Sequence, residues 1–259
     1  MELALEGCAA FVGGSSSGMG YAIADALAAE GSNVALFARR HDALEEAAAE
    51  IEGRGGVAAL ALPGDATDPA ALTEAIRLTE ERFGRLDILV NNTGGPPAGA
   101  FGDFDDGDWT AAYELTVLSA LRLTRAALPA LRRSGRGRVV NITSSAVKEP
   151  IEGLLISNAL RPAVIGWAKT LAREEGPHGI TVNNIAPGYI DTERLGYLYS
   201  LESDPEDARR RDEAAIPVRR IGRPEEIGAT VAFLCSKQAA YINGVTILVD
   251  GGLAKGLLS

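Results

Sequence analysis

Between Cys8 and Ala29 the chain reads CAAFVGGSSSGMGYAIADALAA. A short apolar run, Cys8 to Val12, breaks into Gly13-Gly14-Ser15-Ser16-Ser17-Gly18-Met19-Gly20, and a helical pattern carrying Ile23, Ala26 and Leu27 follows at once. This spells strand, glycine turn, helix. Glycines let such a turn bend tightly and approach a ligand closely, while the first free N–H groups of the helix face a negative charge. A pyrophosphate suits that position, which makes Gly14, Ser16, Ser17, Gly18, Met19 and Gly20 the candidate phosphate cradle. The spacing Gly14-x-x-x-Gly18-x-Gly20 departs from the common dinucleotide fingerprint G-x-G-x-x-G. A bland strand-to-helix turn would also use glycines. The flanking strand and helix favour the phosphate reading.

Further on, apolar runs rich in valine, isoleucine and leucine recur with helical patterns between them. The pattern predicts strands at Asn33 to Phe37, Val57 to Leu62, Leu86 to Val90, Arg138 to Ile142, Ile180 to Ile185 and Val245 to Val249. Helices are expected at Ala43 to Ile51 and from about Pro69 to Phe83. Because the strands are continuously apolar rather than alternating, they belong in a parallel sheet covered by helices on both faces, and the regular β-α alternation agrees. No linker, repeat or compositional shift divides the chain. The expected architecture is a single α/β domain over residues 1–259, a Rossmann-type doubly wound parallel sheet of seven strands, with ligands at the carboxyl ends of the strands.

The turns at those ends carry candidate chemistry. After the second strand comes Ala38-Arg39-Arg40, where a cofactor with a free ribose 2′-hydroxyl would usually meet an acidic residue. Arg39 and Arg40 suit a 2′-phosphate instead, so NADP (NADPH) is expected in preference to NAD, unless both arginines merely project into solvent. After the third strand, Asp65 and Ala66 stand near the expected adenine edge, and Asn92, Thr93 and Gly94 follow the fourth. Either segment could be an ordinary Asx-type turn. A net charge of -10 argues against a nucleic-acid or anionic-membrane surface. No apolar stretch approaches the ~18 residues of a membrane span, and no signal sequence is visible. Cys8 and Cys235 form neither a disulfide framework nor a metal spacing, and His41 and His178 leave little room for a metal site, so no metal and a cytoplasmic location are expected.

Together these residues resemble the short-chain dehydrogenase/reductase family, from Leu5 to Gly252. The glycine turn is similar to that family's T-G-x-x-x-G-x-G, with Gly13 in place of the threonine, and Asn91-Asn92-Thr93-Gly94 resembles its N-N-A-G. Asp65 stands where the family has its adenine-ring aspartate. Asn183, Pro187, Gly188, Ile190 and Thr192 fall in the segment that the resemblance places against the nicotinamide. The family's active site is an asparagine, a serine and a Tyr-x-x-x-Lys pair. Asn141-Ile142-Thr143-Ser144 supplies the serine as Ser144. Counting thirteen residues on, with Ala163 to Lys169 fixing the register, puts Ser157 at the tyrosine position and Arg161 at the lysine position. Alignment on Trp109 puts Thr116 at the asparagine position. A serine hydroxyl lacks a phenol's acidity, and an arginine stays protonated, so Arg161 supplies fixed charge rather than a proton. Water, Lys148, Tyr189, Tyr197 or Tyr199 would then deliver the proton.

Pro162 inside this helix predicts either a helix beginning near Arg161 or a kinked first turn capped by Ser157 and Asn158. The segment 189–218 is the substrate-covering stretch by resemblance. The expected function is NADP(H)-dependent interconversion of an alcohol and a ketone, 3-oxoacyl reductase-like or related, on a small-molecule substrate and in a homo-oligomer, tetramer or dimer. The alternative is a catalytically inactive nucleotide-binding sensor or partner subunit. The basic run Arg132, Arg133, Arg136 and Arg138 reads as a solvated helix end or as a surface for an acidic carrier protein.

Overall fold

In a computed structural model, which describes residues 2–256, the glycine turn joins β1 (Ala9–Gly13) to α1 (Gly18–Ala29). There follow β2 (Asn33–Ala38), α2 (His41–Gly53), β3 (Ala59–Pro63), α3 (Pro69–Phe83), β4 (Ile88–Asn91), α4 (Asp106–Tyr113) and α5 (Ser119–Ser134). The chain continues through β5 (Arg138–Ile142), α6 (Leu155–Glu175), β6 (Thr181–Pro187), α7 (Glu193–Ser200), α8 (Pro205–Ala215), α9 (Pro224–Cys235) and β7 (Thr246–Val249). Residues 1 and 257–259 of the expected domain lie outside the described residues. The seven strands form one parallel sheet in the order β3-β2-β1-β4-β5-β6-β7. Winding reverses between β1 and β4, which opens a crevice at their carboxyl ends.

Successive side chains of a strand point to opposite faces, and both faces are covered. Val12 packs with Ile23, Leu27, Leu36 and Val231 on one side, while its neighbour Phe11 packs with Phe37, Leu72, Leu89 and Leu131 on the other. β1, β4, β5 and β6 are buried along their whole length, the physical reason for their mainly apolar sequences. Helix α3 has the limits the sequence predicts because its ends are written locally. Asp68 accepts from the Ala70 N–H at 2.8 Å, Pro69 takes the first position and Gly84 closes the helix at φ 74°.

Several strand limits shift. β4 starts at Ile88 rather than Leu86, because Asp87 turns its buried carboxylate to the Ala9 N–H (2.9 Å) and to Arg85 (2.6 and 2.7 Å). β3 starts at Ala59 rather than Val57, since the Ala58 N–H is taken by the Asn33 side chain at 2.8 Å. β6 runs on to Pro187.

The expectation around Pro162 is overturned. Helix α6 starts at Leu155, seven residues before the proline, and neither Ser157 nor Asn158 caps it. Asn158 instead exchanges two hydrogen bonds with the backbone of Ile151 (2.8 and 3.0 Å), which holds the preceding loop against the first turn. The basic run starts at the solvated end of α5, where Arg132 and Arg133 stand in the last turn. Arg132 pairs with Glu175, Arg133 with Glu80 and Arg136 with Asp87. Arg138 is buried on β5 and donates to the carbonyl oxygens of Arg136, Gly137 and Gly179. Three of the four are thus paired with carboxylates, and the fourth is buried.

A buried amide ladder crosses the middle of the sheet. Asn91 Nδ2 donates to Asn141 Oδ1 (2.8 Å) and to Thr124 Oγ1 (2.9 Å), and Asn141 Nδ2 donates to Asn184 Oδ1 (2.9 Å). Asn184 Nδ2 then reaches Thr246 Oγ1 at 3.2 Å. These residues are direct cross-strand partners, so the ladder runs through the registers of β4, β5, β6 and β7.

Candidate active site

Of the four glycines in the first turn, Gly13, Gly14 and Gly20 are required by the protein itself. A Cβ at Gly20 would collide with the Gly14 carbonyl oxygen, and one at Gly14 would meet Asn92 Nδ2 at 2.8 Å. Asn92 Nδ2 donates to the carbonyl oxygens of Gly13 (3.0 Å) and Gly14 (3.3 Å), which clips the end of β4 to the turn. Gly13 stands where a side chain would lie 2.6 Å from the Asn92 carbonyl oxygen, so the turn sits closer to β4 than a threonine would allow. Ser15 is also internal: it donates to Val12 O (2.8 Å) and accepts from the Phe37 N–H (3.0 Å). Gly18, by contrast, opens α1 at φ +55° beside Thr192.

A cleft of about 300 Å³ runs along the carboxyl ends of the strands. At one end it is lined by Gly14, Ser17, Gly18, Met19 and Gly20, then by Asn92, Thr93 and Gly94. At the other end stand Ser144, Ser157 and Arg161, with Pro187, Gly188, Ile190 and Thr192 along the β6 side. The turn can take a dinucleotide: the α1 N-terminus carries no acidic residue in its first turn, and nothing lies within 4 Å of where a Gly94 side chain would project. Ser16 does not line this cleft. Arg39 and Arg40 stand exposed beyond the end of β2, where Arg40 donates to Ser17 Oγ at 2.8 Å and faces Glu193 at 3.4 Å. Asp65 accepts from the Thr67 N–H and hydroxyl, both at 2.8 Å, and these bonds with the nearby Arg39 hold its carboxyl below the usual range. Asn183 lies away from the cleft, its amide tying β6 to Ile242 and Val245.

The hydroxyl of Ser144 accepts from the Ala146 N–H at 3.1 Å, which leaves its own hydrogen to donate to a carbonyl oxygen. Ser157 and Arg161 are one α6 turn apart and share a face. Arg161 is 8 % exposed and donates from Nη1 to the Ile142 carbonyl oxygen at 3.0 Å. Burial, and next the charge of Arg194, lower its pKa to about 10, so it remains a cation at neutral pH. Thr116 lies deeper, in a π-helical turn (114–118) between α4 and α5. It lines a separate cavity of about 20 Å³ together with Ala66, Asn91 and Arg161, with room for one water molecule. Asn91 Oδ1, Thr116 Oγ1 and Arg161 Nε, all buried and without a protein partner, belong to residues around that cavity.

The other candidate proton sources separate clearly. Tyr199 donates to Asp212 at 3.0 Å, and Tyr197 lies half exposed under the Arg194 guanidinium; like Lys148, neither lines the cleft. Tyr189 does line it. Burial, and then the charge of Asp212, raise its pKa, so its hydroxyl stays protonated. Arg194 also lines the cleft and was not singled out by sequence: it is a lone arginine at the start of α7, two residues after Thr192, without motif spacing.

A family model described as enoyl-(acyl carrier protein) reductase matches residues 14–254. A short-chain dehydrogenase/reductase from Serratia marcescens superposes with a TM-score of 0.88 at 35% identity, over 97% of this chain and 99% of that one. The chain belongs to the short-chain dehydrogenase/reductase family. Among its relatives, the 3-oxoacyl-[acyl-carrier-protein] reductase FabG of Escherichia coli is 36% identical over 248 residues, 96% of this chain and 98% of that protein. L-sorbose reductase from Gluconobacter frateurii, solved with NADPH and L-sorbose, matches with a TM-score of 0.93 at 33% identity, over 99% of this chain and 100% of that one. The protein is therefore an oxidoreductase of the short-chain type, and no helix among the described residues is long and apolar enough to cross a membrane.

Proposed function

We propose that the protein is an NADPH-dependent reductase of a small ketone, 3-oxoacyl reductase-like or related, whose proton delivery does not use the family's Tyr-x-x-x-Lys pair. One observation carries this reading: a single cleft joins the glycine turn to Ser144, Ser157 and Arg161. NADPH, when bound, supplies the hydride. Gly14, Ser17, Gly18, Met19 and Gly20 hold its pyrophosphate at the α1 N-terminus, and Asn92, Thr93, Gly94, Pro187, Gly188, Ile190 and Thr192 line its path toward Ser144. Ser16, Asp65 and Ala66 belong to the same nucleotide site.

Ser144 donates to the carbonyl oxygen, and Arg161 is a preorganised cation beside the oxygen that becomes an alkoxide. The proton comes from Tyr189 or from water, with Ser157 as a relay and Thr116 closing the polar cavity behind Arg161. NADPH is preferred over NADH because Ala38, Arg39 and Arg40 offer cations and no carboxylate after β2. The loop and helices of 189–218 cover the substrate. Free, buried Cys8 and Cys235 suit a cytoplasmic setting. The half-buried edge strand β7 and the exposed Phe233 on α9 suit pairing of copies in a dimer or tetramer.

Sustained loss of NADPH absorbance with one member of a ketone panel, abolished in Arg161→Ala, tests the activity. In fluorescence titrations NADPH should bind at least tenfold more tightly than NADH, about 1.4 kcal/mol, and Arg39→Ala should shrink that difference. Equal affinities would remove the cofactor assignment. A second reading, a nucleotide-binding sensor or partner subunit without turnover, is favoured by the absence of a group titrating near neutrality at positions 157 and 161. Tight NADPH binding with no consumption against any ketone would establish it instead.

A further inference from the structure

Arginines in this structure are generally met by carboxylates: Arg85 by Asp87, Arg132 by Glu175, Arg209 by Asp191 and Arg220 by Glu226. The two in the cleft are not, and in this they join Arg138, which is buried on β5 against carbonyl oxygens alone. Among the described residues, neither Arg161 nor Arg194 is in an ion pair, in a chain with an excess of acidic residues. Arg161 spends Nη1 on the Ile142 carbonyl oxygen, and its buried Nε has no protein partner. Arg194 reaches from α7 to the Pro96 carbonyl oxygen at 2.6 Å, with its guanidinium over the Tyr197 ring. Among the described residues the one carboxylate lining the cleft is Glu193, whose side chain is 71 % exposed and faces Arg40.

Burying a cation without a counter-charge is unfavourable, and here two line one cleft, with the charge of Arg194 disfavouring that of Arg161. Burial lowers the pKa of both, and the charge of Arg194 adds to the effect on Arg161. A dinucleotide's pyrophosphate does not relieve this, because its place is at the α1 N-terminus. Ile151, Leu154, Leu195 and Leu198 add apolar surface to the cleft wall.

We propose that the carbonyl substrate carries its own anionic group, a carboxylate or its equivalent on an apolar body, and that Arg161 and Arg194 bind it within the cleft. This rests on the reductase reading for turnover but not for binding. A free oxo acid would then be taken in preference to a neutral ester or thioester, because guanidinium forks match planar carboxylates and gain little from a neutral carbonyl. Arg194 acts as a specificity-determining residue, and Arg161 holds both the anion and the developing alkoxide.

The test compares 2-, 3- and 4-oxo carboxylates of six to ten carbons with their methyl esters. With saturating NADPH, at least one acid should exceed its ester in kcat/KM by about 100-fold, a ratio within the range of buried charge recognition. Arg194→Gln should reduce that ratio below about tenfold and Arg194→Lys should restore part of it, with NADPH affinity within about twofold of the parent. Esters turned over as well as acids would overturn the proposal. So would an Arg194→Gln variant that loses NADPH affinity and keeps its acid preference, since Arg194 would then serve the cofactor.

Calorimetric titration of the same acids and esters into the protein, alone and with NADP bound, separates this proposal from the reductase reading. Saturable acid binding without any turnover would retain the anion site and refute the reductase. Absence of acid binding in both titrations would refute the anion site whatever the turnover.

Discussion

Gly18 opens α1 at φ +55°, a conformation that costs any L side chain, and a Cβ there would stand 3.3 Å from Thr192 Cγ2 at the cleft wall. Gly18→Val should weaken NADPH binding at least tenfold in a fluorescence titration while circular dichroism stays that of a folded α/β protein. An affinity equal to the parent's would demote the turn to a structural bend. At the other end of the cleft, Ser157 and Arg161 share a face of α6, and the helix passes through Pro162 without restarting. Because that geometry persists, a Ser157→Tyr, Arg161→Lys double variant should gain turnover, up to the ~10²- to 10⁴-fold that a positioned general acid contributes. No gain would show that these positions no longer face the reacting oxygen. The parent's pH profile has a definite sign. Burial lowers the pKa of the Arg161 cation to about 10, so its charge is essentially complete below pH 9 and is lost as pH rises through about 10. Turnover should therefore be nearly flat through neutral pH and fall only above it. A sharp pKa near neutrality that disappears in Tyr189→Phe would assign the proton donor to Tyr189 in its place.

At the scale of elements, the amide ladder from Asn91 through Asn141 and Asn184 to Thr246 links four neighbouring strands in register. Buried amides must be partnered, and a one-residue slip of any strand would separate these while turning its apolar side chains to the wrong face. Asn141→Leu should leave Asn91 Nδ2 short of one acceptor and Asn184 Oδ1 short of its donor, costing about 2–4 kcal/mol in urea unfolding. A loss below about 0.5 kcal/mol would show that packing alone sets the register. The ladder explains why polar residues interrupt otherwise apolar strands. The family resemblance put Asn91 in a motif that stabilises the central sheet, but its partner Asn141, 50 residues on, and the next link to Asn184, a further 43, left no local sign in the sequence. The ends of α3 were legible for the opposite reason: Asp68, Pro69 and Gly84 write them within the segment itself.

For the whole molecule, the cleft lies where the winding of the sheet reverses, between the turns after β1 and β4 and the far wall made by β5, α6 and α7. Ligand binding there bridges both halves of the sheet. NADPH at 100 times its dissociation constant should stabilise the fold by about 2.7 kcal/mol, read as a rise in Tm. NADPH that binds by fluorescence yet leaves Tm unchanged would show that it does not favour the native state over the unfolded chain. At this scale little about which side chains meet could be read from the sequence. Arg132, Arg133 and Arg136 read as one basic cluster, yet each is met by a different carboxylate, Glu175, Glu80 or Asp87, from elsewhere in the chain.

What the sequence determined by itself is what short-range chemistry and periodicity can carry: seven apolar strands, helices between them, a glycine turn that only a tight strand-to-helix junction needs, and a family resemblance that located Ser144, Ser157 and Arg161 by spacing. Tertiary structure decided the rest. It ran α6 through Pro162, where the packed face of the helix outweighs the lost N–H bond and the ring's clash with the preceding turn. It set Arg194 beside Arg161 in a cleft without a neutralising carboxylate, although the two are 33 positions apart in the chain. Charge balance in a cleft depends on which distant side chains the fold brings together, and no local pattern records that.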